Sequence, residues 1–173
     1  MNNWYVITGG PSCGKTTVLK ELKNRGYKTV EEAARIYIDR EIDKGKSIED
    51  IRGDELFFQK ELLIMKIETE KKLNQDDTIF FDRGIPDTIA YLEIKNFTIE
   101  DYIKSSVEKS NYKKVFLFDL LKYEKDYART ETVEEAKIIQ QLLKQSYEAL
   151  KIPVLKVPVM SLNERVQFIL NNI

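Results

Sequence analysis

Residues 6–20 read VITGGPSCGKTTVLK. An apolar, β-rich run from Trp4 to Thr8 stops at two glycines; Val18, Leu19 and Leu22 then recur at helical spacing until Gly26. Between strand and helix, GGPSCGKT (9–16) satisfies G-x-x-x-x-G-K-[ST], the one context in which that pattern has a mechanism. Glycines let the backbone curl with its amides inward, the helix N-terminus adds its dipole, and a lysine and a hydroxyl answer the remaining charge of a phosphate chain. The expected cradle is Gly9, Gly10, Pro11, Ser12, Cys13, Gly14, Lys15, Thr16 and Thr17, with Lys15 on the terminal phosphates and Thr16 on Mg²⁺.

Working outward, YKTVE (27–31) reads as a second strand and EAARIYIDREIDKG (32–45) as a helix closed by Gly45. A long helical stripe covers about residues 54–73. TIFFD (78–82) and KVFLFD (114–119) are unbroken apolar runs, each ended by an aspartate, as in strands buried on both faces of a parallel sheet. Helices are expected at about 86–95, 98–110 and 132–150, a fifth strand at PVLKVPV (153–159), and a last helix opened by Ser161 with Glu164 as its capping-box partner. The alternation predicts an α/β fold, a three-layer α/β/α sandwich on a five-stranded parallel sheet. One domain spans residues 1–173, and ligands belong at the carboxyl ends of the strands.

Composition narrows the partners. Lys and Arg number 28 against 29 Asp and Glu, so no basic excess points to nucleic acid. No apolar run approaches the roughly 18 residues of a membrane span. A single cysteine, and polar Asn2 and Asn3 where a leader would be apolar, predict a reduced, cytoplasmic protein. Histidine is absent, so proton transfer falls to a carboxylate, a lysine, a tyrosine or water.

Two strand-end acids, Asp82 and Asp119, compete for the Mg²⁺ shell. Asp82 is favoured because Arg83 and Gly84 follow it, setting a cation for an anionic substrate beside a metal-side acid. Glu31 and Glu32 end the second strand on the same sheet edge as the cradle; either can serve an acceptor hydroxyl, or simply complement a helix dipole, and Arg35 shares the helical face of Glu32. LLKYEKDYARTE (120–131) sets Lys122, Lys125 and Arg129 on one helical face, a lid-like arrangement over a transferring phosphoryl group. The loop from Pro158 to Ser161 is where a nucleotide base would rest; its residue types do not separate ATP from GTP.

The blocks ITGGPSCGKTTVLKEL, VEEAARIYI, FFDRGIPDTIAYL, FLFDLLKYEKDYARTET and PVLKVPVMSLNERVQFIL, in this order, resemble the AAA-type P-loop domains that include the kinase domain of NadR-like proteins and the TRPL translocation defect type GTP-binding proteins. The resemblance implies a kinase-type P-loop fold with the phosphate-loop strand central and the Asp82 strand beside it, and it implies Mg²⁺ with ATP or GTP. It adds weight to Glu32, Arg35, Asp82, Arg83, Asp126 and Arg129. Two readings follow. In the first, a phosphotransferase moves the terminal phosphate to the hydroxyl of a small, nucleoside-like acceptor, with Lys15, Glu32, Asp82 and Arg129 catalytic. In the second, a nucleotide switch or slow NTPase serves a protein or lipid partner.

Overall fold

The computed structural model describes residues 2–11, 13–120 and 133–173. In chain order the elements are β1 (Trp4–Thr8), α1 (Lys15–Asn24), β2 (Lys28–Val30), α2 (Ala33–Asp43), α3 (Ile48–Arg52), α4 (Glu55–Lys71), β3 (Ile79–Asp82), α5 (Asp87–Ile94), α6 (Asp101–Glu108), β4 (Lys114–Phe118), α7 (Val133–Glu148), β5 (Val154–Val157) and α8 (Leu162–Leu170). The strands form one parallel sheet in the order β2-β3-β1-β4-β5, so the strand that feeds the phosphate loop is central and the Asp82 strand is its neighbour.

Alternation along β1 explains the three layers. Tyr5 and Ile7 point to one face, where they join Phe80, Phe116 and Phe118 against Val18 and Leu22 of α1 and Val166 and Ile169 of α8. Trp4 and Val6 point to the other, with Ile79, Phe81 and Val115 against Tyr112 and Tyr147. Phe80 and Phe116 are fully buried, and each contributes about 2 kcal/mol by leaving water. Both faces are covered, which is why these strands read as unbroken apolar runs. Among the described residues, no helix is long and apolar enough to cross a membrane.

Two elements depart from the expectation. Residues 48–52 form the short helix α3, capped by Ser47 and Asp50 in a reciprocal box whose acid is aspartate rather than glutamate. Helix α6 starts at Asp101, not 98, because Ile99 packs into the core beneath α4 and Glu100 pairs with Lys60 at 2.6 Å, holding that stretch extended. The expected box of Ser161 and Glu164 caps α8. The lid-like segment, except for Leu120, lies outside the described residues, with Arg129 and Asp126 in it; Ser12 lies outside them too.

Candidate active site

The loop between β1 and α1 is built for an anion. Gly14, with φ of 83°, is the N-cap of α1; no side chain caps the helix and its first turn holds no acid, so nothing in the sequence competes for those amides. Gly9 has φ of 148°, and a Cβ there would stand 2.8 Å from the Phe118 carbonyl oxygen and 2.9 Å from Cys13 Sγ, so only glycine fits. Lys15 is buried; its Nζ donates to the carbonyls of Gly9 at 3.2 Å and Gly10 at 3.0 Å and lies 3.4 Å from Cys13 Sγ. The ammonium thus sits over the cradle. Thr16 and Thr17 are exposed at its rim and Pro11 is half-buried.

Register carries Asp82 to the cradle, since Ile7 on β1 pairs with Asp82 on β3. The carboxylate is buried and its Oδ1 has no hydrogen-bond partner among the described residues. Burial, with help from Glu32 and Asp87 and opposed by Lys15 and Arg83, lifts it to about 6. An orphaned hard oxygen beside a phosphate loop fits a Mg²⁺ shell. No cluster of three metal-binding side chains exists among the described residues; Mg²⁺ takes few protein ligands and completes its shell with phosphate and water, so Thr16 and Asp82 suffice as a donor set. Asp119 is engaged elsewhere: its carboxylate pairs with Lys156 of the neighbouring strand at 3.0 Å.

Glu32 and Arg83 come together from different elements. Arg83 Nε donates to Glu32 Oε1 at 2.8 Å, and its NH1 donates to the Gly9 carbonyl at 3.2 Å and to Asp87 Oδ1 at 3.4 Å. Its guanidinium lies 5.1 Å from the Tyr91 ring centre. Arg83 therefore ties Glu32 to the phosphate loop. Burial raises Glu32, but Arg83, Lys15 and Arg35 outweigh it and hold the carboxyl at about 2. A group that low holds a proton poorly; it is suited to orienting a hydroxyl rather than removing its proton. Glu31 faces outward and meets Lys23 at 3.5 Å, while Arg35 and Pro158 are exposed.

Three supports escaped the sequence reading. Asp87, fully buried, accepts from Thr8 Oγ1 at 2.5 Å and from the Gly84 amide at 3.0 Å, and from the Tyr147 hydroxyl, which clamps the turn that holds Arg83 at φ of 66°. Gln140 accepts the Gly10 amide at 3.3 Å and donates to the Phe118 carbonyl at 2.9 Å, pinning the loop to α7. Arg165 donates from NH1 to the Cys13 carbonyl at 2.9 Å, with its guanidinium 5.6 Å from the Phe118 ring centre. A cation in the first turn of a helix opposes the dipole, and that signal was present in SLNERV.

Two openings flank this centre. One, of about 310 Å³, is lined by Asp119, Leu120, Lys137, Gln140 and Val159, beside the loop that follows β5. The other, of about 60 Å³, lies between α2 and α4 and reaches Asp82 and Arg83.

The AAA domain family (AAA_28) matches residues 4–165. This chain belongs to that family. The AAA domain also shares its fold with solved kinases. Thymidylate kinase from Ehrlichia chaffeensis superposes with a TM-score of 0.68 at 14% identity, covering 98% of this chain and 96% of that one. Deoxyadenosine kinase from M. mycoides with bound dCTP gives 0.70 at 16%, covering 98% and 97%. NadR in complex with NR gives 0.73 at 13%, covering 97% of the AAA domain chain but 49% of NadR. No curated protein matches.

Proposed function

We propose that this single-domain chain is a cytoplasmic, Mg²⁺-dependent phosphotransferase that moves the terminal phosphoryl group of ATP or GTP to the hydroxyl of an unphosphorylated, nucleoside-type acceptor. The observation that carries the reading is the Glu32–Arg83–Gly9 chain of contacts, which joins an acid at the acceptor cleft to the phosphate cradle. The kinase fold of thymidylate kinase, deoxyadenosine kinase and NadR supports it.

In this reading Lys15 and Arg129 hold the transferring group, and Pro158 and its neighbours rest the base. Thr16 and Asp82 hold Mg²⁺, which supplies charge neutralisation on the phosphate oxygens. Arg35, Arg83 and Asp126 position the acceptor, with Glu31 at the cleft wall. The acceptor oxygen attacks the terminal phosphorus, the bond to the bridging oxygen breaks, nucleoside diphosphate leaves, and the hydroxyl proton passes to water. Glu32 accepts a hydrogen bond from the attacking hydroxyl and fixes its direction; a loose transition state asks little more of a base.

Charge favours an acceptor without its own phosphate. Of the charged side chains at the cleft, Glu31 turns outward to Lys23; Glu70 and Asp82 face Lys66 and Arg83, and Arg83 is already committed to Glu32 and Asp87. A phosphate monoester would meet two acids and a guanidinium already taken by carboxylates. The cleft is about the space of two waters, so a nucleoside enters as α2 draws away from α4.

The test is nucleoside diphosphate release from Mg·ATP and Mg·GTP with a panel of nucleosides and nucleoside monophosphates, using Lys15→Ala as the blank. Release that rises with an unphosphorylated acceptor and vanishes in the blank is the expected result. Slow release that no acceptor changes would make the chain a nucleotide switch instead.

A further inference from the structure

Lys66, Thr69 and Glu70 occupy i, i+3 and i+4 positions on α4 and all line the cleft toward α2, whose remaining wall includes apolar Val30, Ile36 and Phe81. Opposite charges facing an apolar cleft are costly unless they are satisfied. Among the described residues each makes one side-chain hydrogen bond here: Lys66 Nζ donates to the Gly84 carbonyl at 2.9 Å, and the Tyr112 hydroxyl donates to Glu70 Oε1. An ammonium carries three donors and a carboxylate two oxygens, so both keep hydrogen-bonding capacity beyond these bonds. Their anchors also fix their positions, because the Tyr112 hydroxyl accepts the Ile85 amide at 3.0 Å and Gly84 belongs to the Arg83 turn. The polar pair is thus held rigidly at the cleft wall, on the same turn that sets the phosphate-side cation.

We propose that Lys66 and Glu70 are the specificity-determining pair of the acceptor cleft and select acceptors that present an amide-type edge, a carbonyl oxygen beside an N–H. The ammonium donates to the carbonyl oxygen, the Glu70 carboxylate accepts from the N–H, and the acceptor hydroxyl reaches back to Glu32 and Asp82. Lactam nucleobases and ring carboxamides both carry that edge. This inference rests on the phosphotransferase reading above.

The experiment, run at about pH 8 so that Glu70 is ionised, compares phosphorylation of matched pairs that differ in the edge: inosine against purine riboside, uridine against pyrimidin-2-one riboside, and nicotinamide riboside against pyridine riboside. The readout is the ratio of kcat/KM within each pair, which a merely structural role for Lys66 or Glu70 leaves unmoved. In the unaltered protein at least one pair should differ by about 10-fold or more, because a site built for a donor rejects the analogue lacking it. The ratio should collapse toward one in Lys66→Met and Glu70→Leu, with Glu70→Gln between. If Glu70→Leu fails to fold, Lys66→Met and Glu70→Gln carry the comparison. Ratios near one for every pair, or ratios preserved in the variants, overturn the inference. If adenosine or cytidine is phosphorylated and no acceptor of any pair is, the inference alone falls; if no nucleoside is phosphorylated at all, the phosphotransferase reading falls and the inference with it.

Discussion

Glu70→Gln should change how stability depends on pH, and the magnitude follows from the surroundings of Glu70. Burial pushes this carboxyl from 4.5 up to about 7, against the Tyr112 hydroxyl bond and the charge of Lys66, which lower it. Between those values the folded chain holds a proton that the unfolded chain has released. The contribution to stability is therefore fully present below 4.5 and is lost as pH rises through about 7. The full difference corresponds to about 3 kcal/mol, of which about 2.5 kcal/mol falls between about pH 5 and about pH 8. Glutamine does not titrate, and its carbonyl oxygen still accepts the Tyr112 bond. Urea unfolding of both proteins across this range isolates Glu70, because every other group cancels in the difference. The original protein should lose about 2.5 kcal/mol more than the variant on going to the higher pH. Parallel stability curves would refute the reasoning and mean that Glu70 titrates as an exposed acid.

Three further outcomes are expected. Gly84→Ala places a Cβ 2.7 Å from the Tyr147 hydroxyl and 2.9 Å from Tyr112 Cε2, both fixed by hydrogen bonds, so urea unfolding should show a loss of about 1–3 kcal/mol; an unchanged midpoint would mean the turn relaxes freely. Arg165→Met keeps the bulk but removes the donor to the Cys13 carbonyl, and titration calorimetry should find Mg·ATP or Mg·GTP bound about 10-fold more weakly; unaltered affinity would make Arg165 a packing residue only. Glu32→Gln keeps the shape but weakens the link to Arg83; kcat/KM for the acceptor should fall about 100-fold while nucleotide affinity stays within about 3-fold, and lost nucleotide binding would mark Glu32 as a support of the cradle.

Much of this molecule is legible locally. The five strands and the capping of α8 follow from patterns within a few residues, because backbone hydrogen bonding, burial of both sheet faces and helix capping are short-range requirements; the central place of the phosphate-loop strand was implied by the family resemblance alone. The motif at residues 9–16 names its ligand for the same reason: the glycines, the lysine and the hydroxyl act within one turn of chain. The choice between Asp82 and Asp119 was legible only in part: both end apolar strands, and only the Arg83 and Gly84 that follow Asp82 spoke for it. What stands across the sheet sets them apart: Asp82 borders the cradle with an oxygen that has no partner among the described residues, and Asp119 meets Lys156.

The same distinction governs the rest of the candidate site. Sequence by itself determined the fold class, the phosphate cradle and a set of acids with no histidine among them. Only tertiary structure decided which charges meet. It set Arg83 between Glu32 and Asp87, tied Gln140 and Arg165 to the loop across long stretches of chain, and turned Lys66 and Glu70 into one cleft. Electrostatic coupling and burial depend on distance in space, and a parallel sheet assembled by crossovers brings together residues whose separation along the chain carries no trace of that distance.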